Sequence, residues 1–170
     1  MAREIIVRLK TVSVTKALAA AGNYDAEDVL SQSATVGTVW TFSAIATSNG
    51  RGGYITRARV ICETTALTPR LTLYLFNTTP TSAVNDNVAN TAVLNADIAK
   101  YEGKIDFPAM EDLGGDSEAV VTPSTYGNLP LAFKCAVADT ALYGILVTRD
   151  AITGEVATDD MTVVLTAEQS

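Results

Sequence analysis

Apolar and polar residues alternate with a period of two through most of this chain, in runs of five to ten residues. In "LTLYLF", Leu71, Leu73 and Leu75 oppose Thr72, Tyr74 and Phe76. Period two sends successive side chains to opposite faces of an extended backbone, so each such run predicts a β-strand. "TVWTFSAIA" sets Val39, Thr41, Ser43 and Ile45 against Trp40, Phe42 and Ala44, with Trp40 as a core anchor. In "GGYITRARVICE", Tyr54, Thr56, Ala58, Val60 and Cys62 alternate with Ile55, Arg57, Arg59, Ile61 and Glu63, which puts both arginines on the less apolar face. The last third adds "LPLAFKCAVA", "ALYGILVTRD" and "MTVVLTAEQ", while "LNADIAKY" predicts one helical turn before the short strand "GKIDF".

Turn formers separate these runs. "SNGRGG" at 48–53, with Asn49-Gly50 and Gly52-Gly53 suited to positive φ, predicts a hairpin joining the strands on either side. Residues 4–16 alternate in two phases, Ile5, Val7 and Leu9 and then Val12 and Val14, which predicts one bent strand or an arm that changes partner. Residues 77–92 and "PAMEDLGGDSEA" read as loops. About eight to ten strands at these spacings predict an all-β, two-sheet sandwich, jelly-roll-like, at 21–170, preceded by an N-terminal strand or arm at 1–20. Because "LTLYLF" is apolar on both faces, a second layer of the domain or a neighbouring subunit must cover it. Tyr74 and Phe76 are therefore candidate subunit-interface residues.

Composition agrees with β structure: the 170 residues include 23 Thr and 17 Val. The net charge of −7 is uneven, with 8 Lys/Arg against 5 Asp/Glu in residues 1–70 and 4 against 14 in residues 71–170. That balance lacks the concentrated positive field that wrapping nucleic acid requires, so no nucleic-acid partner is expected. Arg3, Glu4, Arg8 and Lys10 interrupt any secretory leader, and the charge-free stretch between Asp28 and Arg51 is too polar to cross a membrane. A soluble chain with no membrane partner is expected. Cys62 and Cys135 sit far apart in apolar runs and read as buried free thiols, with a disulfide as the rival.

Candidate chemistry is sparse. Without histidine the chain lacks the commonest general base and the usual ligand of catalytic zinc. Gly115-Asp116-Ser117 has no histidine partner for a nucleophilic serine, and Ser13-Val14-Thr15-Lys16 matches a Ser-x-x-Lys pattern inside a β segment rather than at a helix start. Glu111, Asp112, Asp116 and Glu118 are candidate carboxylates for glycoside hydrolysis but share one Gly-rich loop. They and Asn85-Asp86-Asn87 offer oxygen ligands for calcium without EF-hand spacing. No catalytic residue, cofactor or metal site is predicted.

Three stretches carry a family resemblance: "GNYDAEDVLSQSATVGTVWTF", "GGYITRARVICETTALTPRLTLYLFNTTPTSAVNDNVAN", and "IDFPAMED" with the later "LYGILVTRDA". Over residues 22–166 the chain resembles small virion structural proteins of tailed bacteriophages, in places associated with the head as decoration or cement proteins. The resemblance implies a non-enzymatic protein on the capsid surface, made in the host cytoplasm, with the major capsid protein as partner and a homotrimer as its assembly. Arg3, Arg8, Lys10 and Lys16 of the more basic N-terminal region are the candidate capsid contacts, the alternative being charges that keep an edge strand soluble. The competing function is a tail-associated or receptor- and carbohydrate-binding module, for which Tyr126 is the main loop aromatic.

Overall fold

The computed structural model describes residues 8–19 and 22–169. In chain order the strands are β1 (Arg8–Ala17), β2 (Gly22–Tyr24), β3 (Val29–Leu30), β4 (Trp40–Phe42), β5 (Gly52–Cys62), β6 (Leu71–Phe76), β7 (Tyr101–Phe107), β8 (Glu111–Asp112), β9 (Ser117–Val121), β10 (Leu131–Lys134), β11 (Leu142–Thr148), β12 (Ile152–Glu155) and β13 (Asp160–Gln169). A 3-10 helix, Asn95–Lys100, precedes β7, where one helical turn is predicted. All pairings are antiparallel. The larger sheet runs β1-β13-β5-β9-β8, with β10 sharing the edge of β5 that β9 also uses; the smaller runs β3-β11-β6-β7, with β4 beside β3 on β11. A two-stranded ribbon, β2 with β12, completes the molecule. The chain is all-β, as its periodicity predicts.

The facing sides of the two sheets make one core. Ile55, Ala58, Val60, Met161, Val163 and Leu165 of the larger sheet pack against Leu71, Leu73, Leu75, Leu142 and Leu146 of the smaller. Each fully buried Leu or Val contributes about 1.5–3 kcal/mol relative to exposure, so this interdigitated layer is the main stabilising element. Trp40 is buried in it and donates its indole N–H to the Leu30 carbonyl at 3.0 Å, which satisfies its one polar atom. Cys62 and Cys135 are both buried and are not joined in a disulfide; burial raises the Cys135 thiol to about 11.

Both faces of the smaller sheet are covered by the chain itself. Phe76, Ile145, Val147 and Val29 form a second apolar cluster with Tyr74, Tyr101, Val84, Val88 and Val93. Segment 77–100 supplies the cover and is stitched to the 27–29 stretch by backbone bonds from Asn87 and Asn90 to the Val29 and Glu27 carbonyls. The buried Asp97 carboxylate holds it, accepting from the Thr81 and Ser82 amides at 2.8 and 2.9 Å and from the Ser82 hydroxyl at 2.8 Å. Burial alone would raise its pKa, but these hydrogen bonds outweigh it and hold the group below the ordinary carboxylate range. The layer over "LTLYLF" is thus intramolecular: Phe76 is fully buried, and Tyr74 is half-buried.

Three local expectations change. The strands flanking "SNGRGG" do not pair, because β4 joins the smaller sheet and β5 the larger, so the segment is a crossover and not a hairpin. Gly50 takes positive φ there (70°), whereas Gly52 and Gly53 serve close packing. A Cβ on either would stand 2.0 Å from a neighbouring carbonyl, that of Phe133 or that of Glu168. Second, a β-bulge between the pairs Thr166/Arg57 and Ala167/Ile55 leaves Thr56 as an extra residue. It inverts the phase, so Ile55 is buried and Tyr54 exposed, while Ala58, Val60 and Cys62 keep the predicted inward face. Third, β1 holds one register from Arg8 opposite Gln169 to Ala17 opposite Asp160, without a bend. Leu9 therefore lies outward, 67% exposed, while Val12 and Val14 pack on the core. Ile5 and Val7 lie outside the described residues. The described part of the 1–20 segment is thus an edge strand of the sandwich.

Candidate functional site

The two sheets differ in what covers their outer faces. On the larger sheet the outward residues form cross-strand rows: Thr11, Thr166 and Arg57; then Ser13, Val164, Arg59 and Val120; then Thr15, Thr162, Ile61 and Glu118. None of these eleven residues is buried. Threonine hydroxyls pair along the β1-β13 seam, Thr11 with Thr166 at 3.1 Å and Thr15 with Thr162 at 2.7 Å. Such pairs favour β-branched neighbours on a pleated surface and keep it regular. Arg59 lies across the middle, its Nη2 donating to Glu118 Oε2 at 2.8 Å. Its Nε is buried and has no hydrogen-bond partner among the described residues, so one donor of the guanidinium is unused. Arg57, Arg59, Thr11, Val164 and Thr166 line a depression of about 180 Å³.

The structure does not gather the three described N-terminal cations, Arg8, Lys10 and Lys16, into one patch. Arg3 lies outside the described residues. Arg8 is exposed and Lys10 half-buried at the start of the edge strand, in phase with Val12 and Val14 rather than with the outer face. Lys16 is 8% exposed and points inward. Its ammonium donates to the Thr38 carbonyl and Oγ1, to Gln32 Oε1 at 2.7 Å and to Ser31 Oγ at 3.4 Å, and lies 5.3 Å from the centroid of the Trp40 ring. Desolvation lowers its pKa to about 8, against a smaller opposing pull from Asp86. Lys16 is an internal cation and not a surface contact. The arginines of β5, Arg57 and Arg59, lie on the outward face instead; alternation places them on the less apolar face, but nothing local marks that face as open.

The remaining motifs resolve into structural roles. Ser13 and Lys16 lie on opposite faces of β1, so the Ser-x-x-Lys pattern brings no two groups together. Ser117 is buried, donating to the Thr64 carbonyl and accepting from the Leu67 amide. Asp112 accepts from Thr65 and the Gly114 amide, and Glu118 is held by Arg59. Asp86 is buried with Tyr24 and the Ser31 amide, and Asn85 accepts from the Gly37 amide. Among the described residues no group of three or more His, Cys, Asp or Glu side chains could hold a metal ion.

No family model and no curated protein matches the chain. Among solved structures, a chain from the cryo-EM structure of mud crab tombus-like virus is similar over 100% of this chain and 84% of its own, at a TM-score of 0.29 and 13% identity. A likeness of that size carries no argument about fold or role. No described helix is long and apolar enough to cross a membrane.

Proposed function

We propose that this chain is a non-enzymatic structural protein of a tailed-phage particle that binds the outer capsid surface as a decoration protein and stabilises the shell. The observation that carries the reading is the open outer face of the larger sheet, beside a smaller sheet that the same chain covers on both sides. A regular face of paired threonines and branched apolar residues around two arginines suits burial against another protein, with polar groups setting register. A protein that binds only the assembled lattice stabilises it by mass action. The resemblance of residues 22–166 to phage virion proteins supplies the partner class, the major capsid protein. A homotrimer, synthesised in the host cytoplasm, would place three such faces around one symmetry axis of the shell.

Cryo-electron microscopy of purified shells mixed with the protein tests the reading. Symmetric sandwich density on the head, with the larger sheet toward the shell, is expected. Density confined to the tail, or none on any particle, would overturn it.

A further inference from the structure

The depression in the open face of the larger sheet, about 180 Å³, is lined by Thr11, Arg57, Arg59, Val164 and Thr166. Arg57 and Arg59 stand two residues apart on β5, so their side chains leave the same face about 7 Å from one another along the strand. Register sets Thr166 between Arg57 and Thr11, and Val164 between Arg59 and Ser13. The β-bulge at Thr56 lies directly before Arg57, and the Thr56 hydroxyl reaches the Thr166 carbonyl at 3.5 Å. A bulge re-aims the side chain beside it, and here that side chain is Arg57.

The two guanidiniums are not equally occupied. Arg59 gives one N–H to Glu118, and its Nε is buried with no hydrogen-bond partner among the described residues. Arg57 is exposed and makes no hydrogen bond or ion pair with any described residue. The Thr11 and Thr166 hydroxyls meet at 3.1 Å, a contact that uses one of their two hydrogens and leaves the other to donate. The lining holds no carboxylate. It is therefore rich in unused donors, and a donor buried without a partner is a cost to the fold that an acceptor brought from outside can offset.

Charge and size select the acceptor. Glu118 cancels one of the two guanidinium charges, so the site matches a single negative charge, and a dianionic phosphate brought there would be repelled by Glu118. The volume lies below the range of small-molecule sites, about 300–1,000 Å³, which suits one side chain inserted from a docked surface rather than a free ligand. The planar fork of Arg57 matches a carboxylate in two-pronged geometry. We propose that this depression receives the carboxylate of one Asp or Glu side chain carried by the protein that docks on the face, with Arg57 making the two-pronged contact and Arg59 the flanking charge. The inference rests on the reading of this face as a docking surface and adds the chemistry that its partner must present.

The test is NMR titration of the ¹⁵N-labelled full chain, read at the arginine Nε–H signals and the backbone amides. The probes are an acetylated and amidated alanine–glutamate pentapeptide, its glutamine counterpart, and inorganic phosphate. Saturable shifts at Arg57, Arg59, Thr11 and Thr166 are expected with the glutamate peptide, while Arg51 and Lys134, exposed cations elsewhere on the molecule, stay unmoved. Binding of the glutamine peptide should be at least about tenfold weaker, the difference of one charge-assisted contact. Arg57→Gln, an exposed position, should keep the dispersed spectrum of the folded chain and lose about tenfold in affinity. No saturable binding of the glutamate peptide, equal binding of the glutamine peptide, tighter binding of phosphate, or unchanged affinity in Arg57→Gln would each overturn the assignment. Shells that bind the protein when the peptide does not would keep the docking face and remove the carboxylate; a peptide that binds when shells do not would keep this site and remove the capsid as its partner.

Discussion

Lys16 shows how an inward-facing position on an edge strand decides what a charged residue does. Strand alternation turns its stem into the sandwich, and the Thr38 carbonyl, Gln32 and Ser31 receive the ammonium where water would otherwise solvate it. The folded pKa of about 8 lies below the ordinary 10.5. Between those values the unfolded chain binds the proton and the folded chain does not, so this group makes stability rise as pH increases through the window. Below about pH 8 both states are charged, and the burial cost is fully present. Lys16→Met should remove that dependence: relative to the variant, the native chain should gain up to about 3 kcal/mol between pH 7.5 and 10.5. Urea denaturation of both proteins across that range measures it. Other groups that titrate there, Tyr101, Tyr143 and Cys135 among them, cancel in the difference. Parallel stability curves would show that the ammonium is not desolvated.

At the scale of elements, the 77–100 segment acts as the second cover of the smaller sheet, and Asp97 is its fastening. Asp97→Asn keeps the shape but places an NH₂ group where the Thr81 and Ser82 amides donate, at a cost of about 1–3 kcal/mol for the lost and unsatisfied bonds. Hydrogen exchange should accelerate across residues 77–94 while β5 and β13 keep their protection; uniform acceleration, or none, would contradict a local fastening. In the native chain the same contribution is present above pH 3.8, the ordinary carboxylate value, and is lost as pH falls through the lower folded value. Elements also mark how far the sequence could be read. Alternation located β5, β6, β11 and β13, because a half-buried strand imposes period two on its own residues. It could not choose their partners. A glycine-rich turn between two strand patterns looks the same whether the chain folds back or crosses to the other sheet, and Gly52 and Gly53 proved to be close-packing residues rather than turn residues. The bulge at Thr56 escaped for a related reason: one unpaired residue moves Tyr54 outward and Ile55 inward without changing composition. Lys16 reads as a capsid contact, and Tyr74 and Phe76 as subunit-interface candidates, because local pattern does not record what the rest of the chain lays over a face.

For the molecule as a whole, charge and cover separate two ways of docking. Engagement through the edge strand would use Arg8 and Lys10, with backbone groups of β1 available on its free side. Engagement through the open face would use Arg57 and Arg59, with the threonine rows packed against the partner. Reversing all four N-terminal cations cannot distinguish these, because changing Lys16 places a carboxylate beside Asp86 inside the protein and disturbs folding before it touches binding. The informative pair is Arg8→Glu with Lys10→Glu against Arg57→Glu, positions that are exposed or half-buried outside the core. If the face docks, Arg57→Glu should lower shell occupancy by about tenfold or more at moderate salt, since a like charge is then buried in the contact. The edge pair should cost only a few-fold and chiefly slow association, an effect that rising ionic strength erases. Co-sedimentation of each variant with purified shells at two salt concentrations, with thermal unfolding as the folding control, reads both terms. The opposite ranking would move the contact to the edge strand, and full occupancy by both variants would remove the larger sheet from the interface.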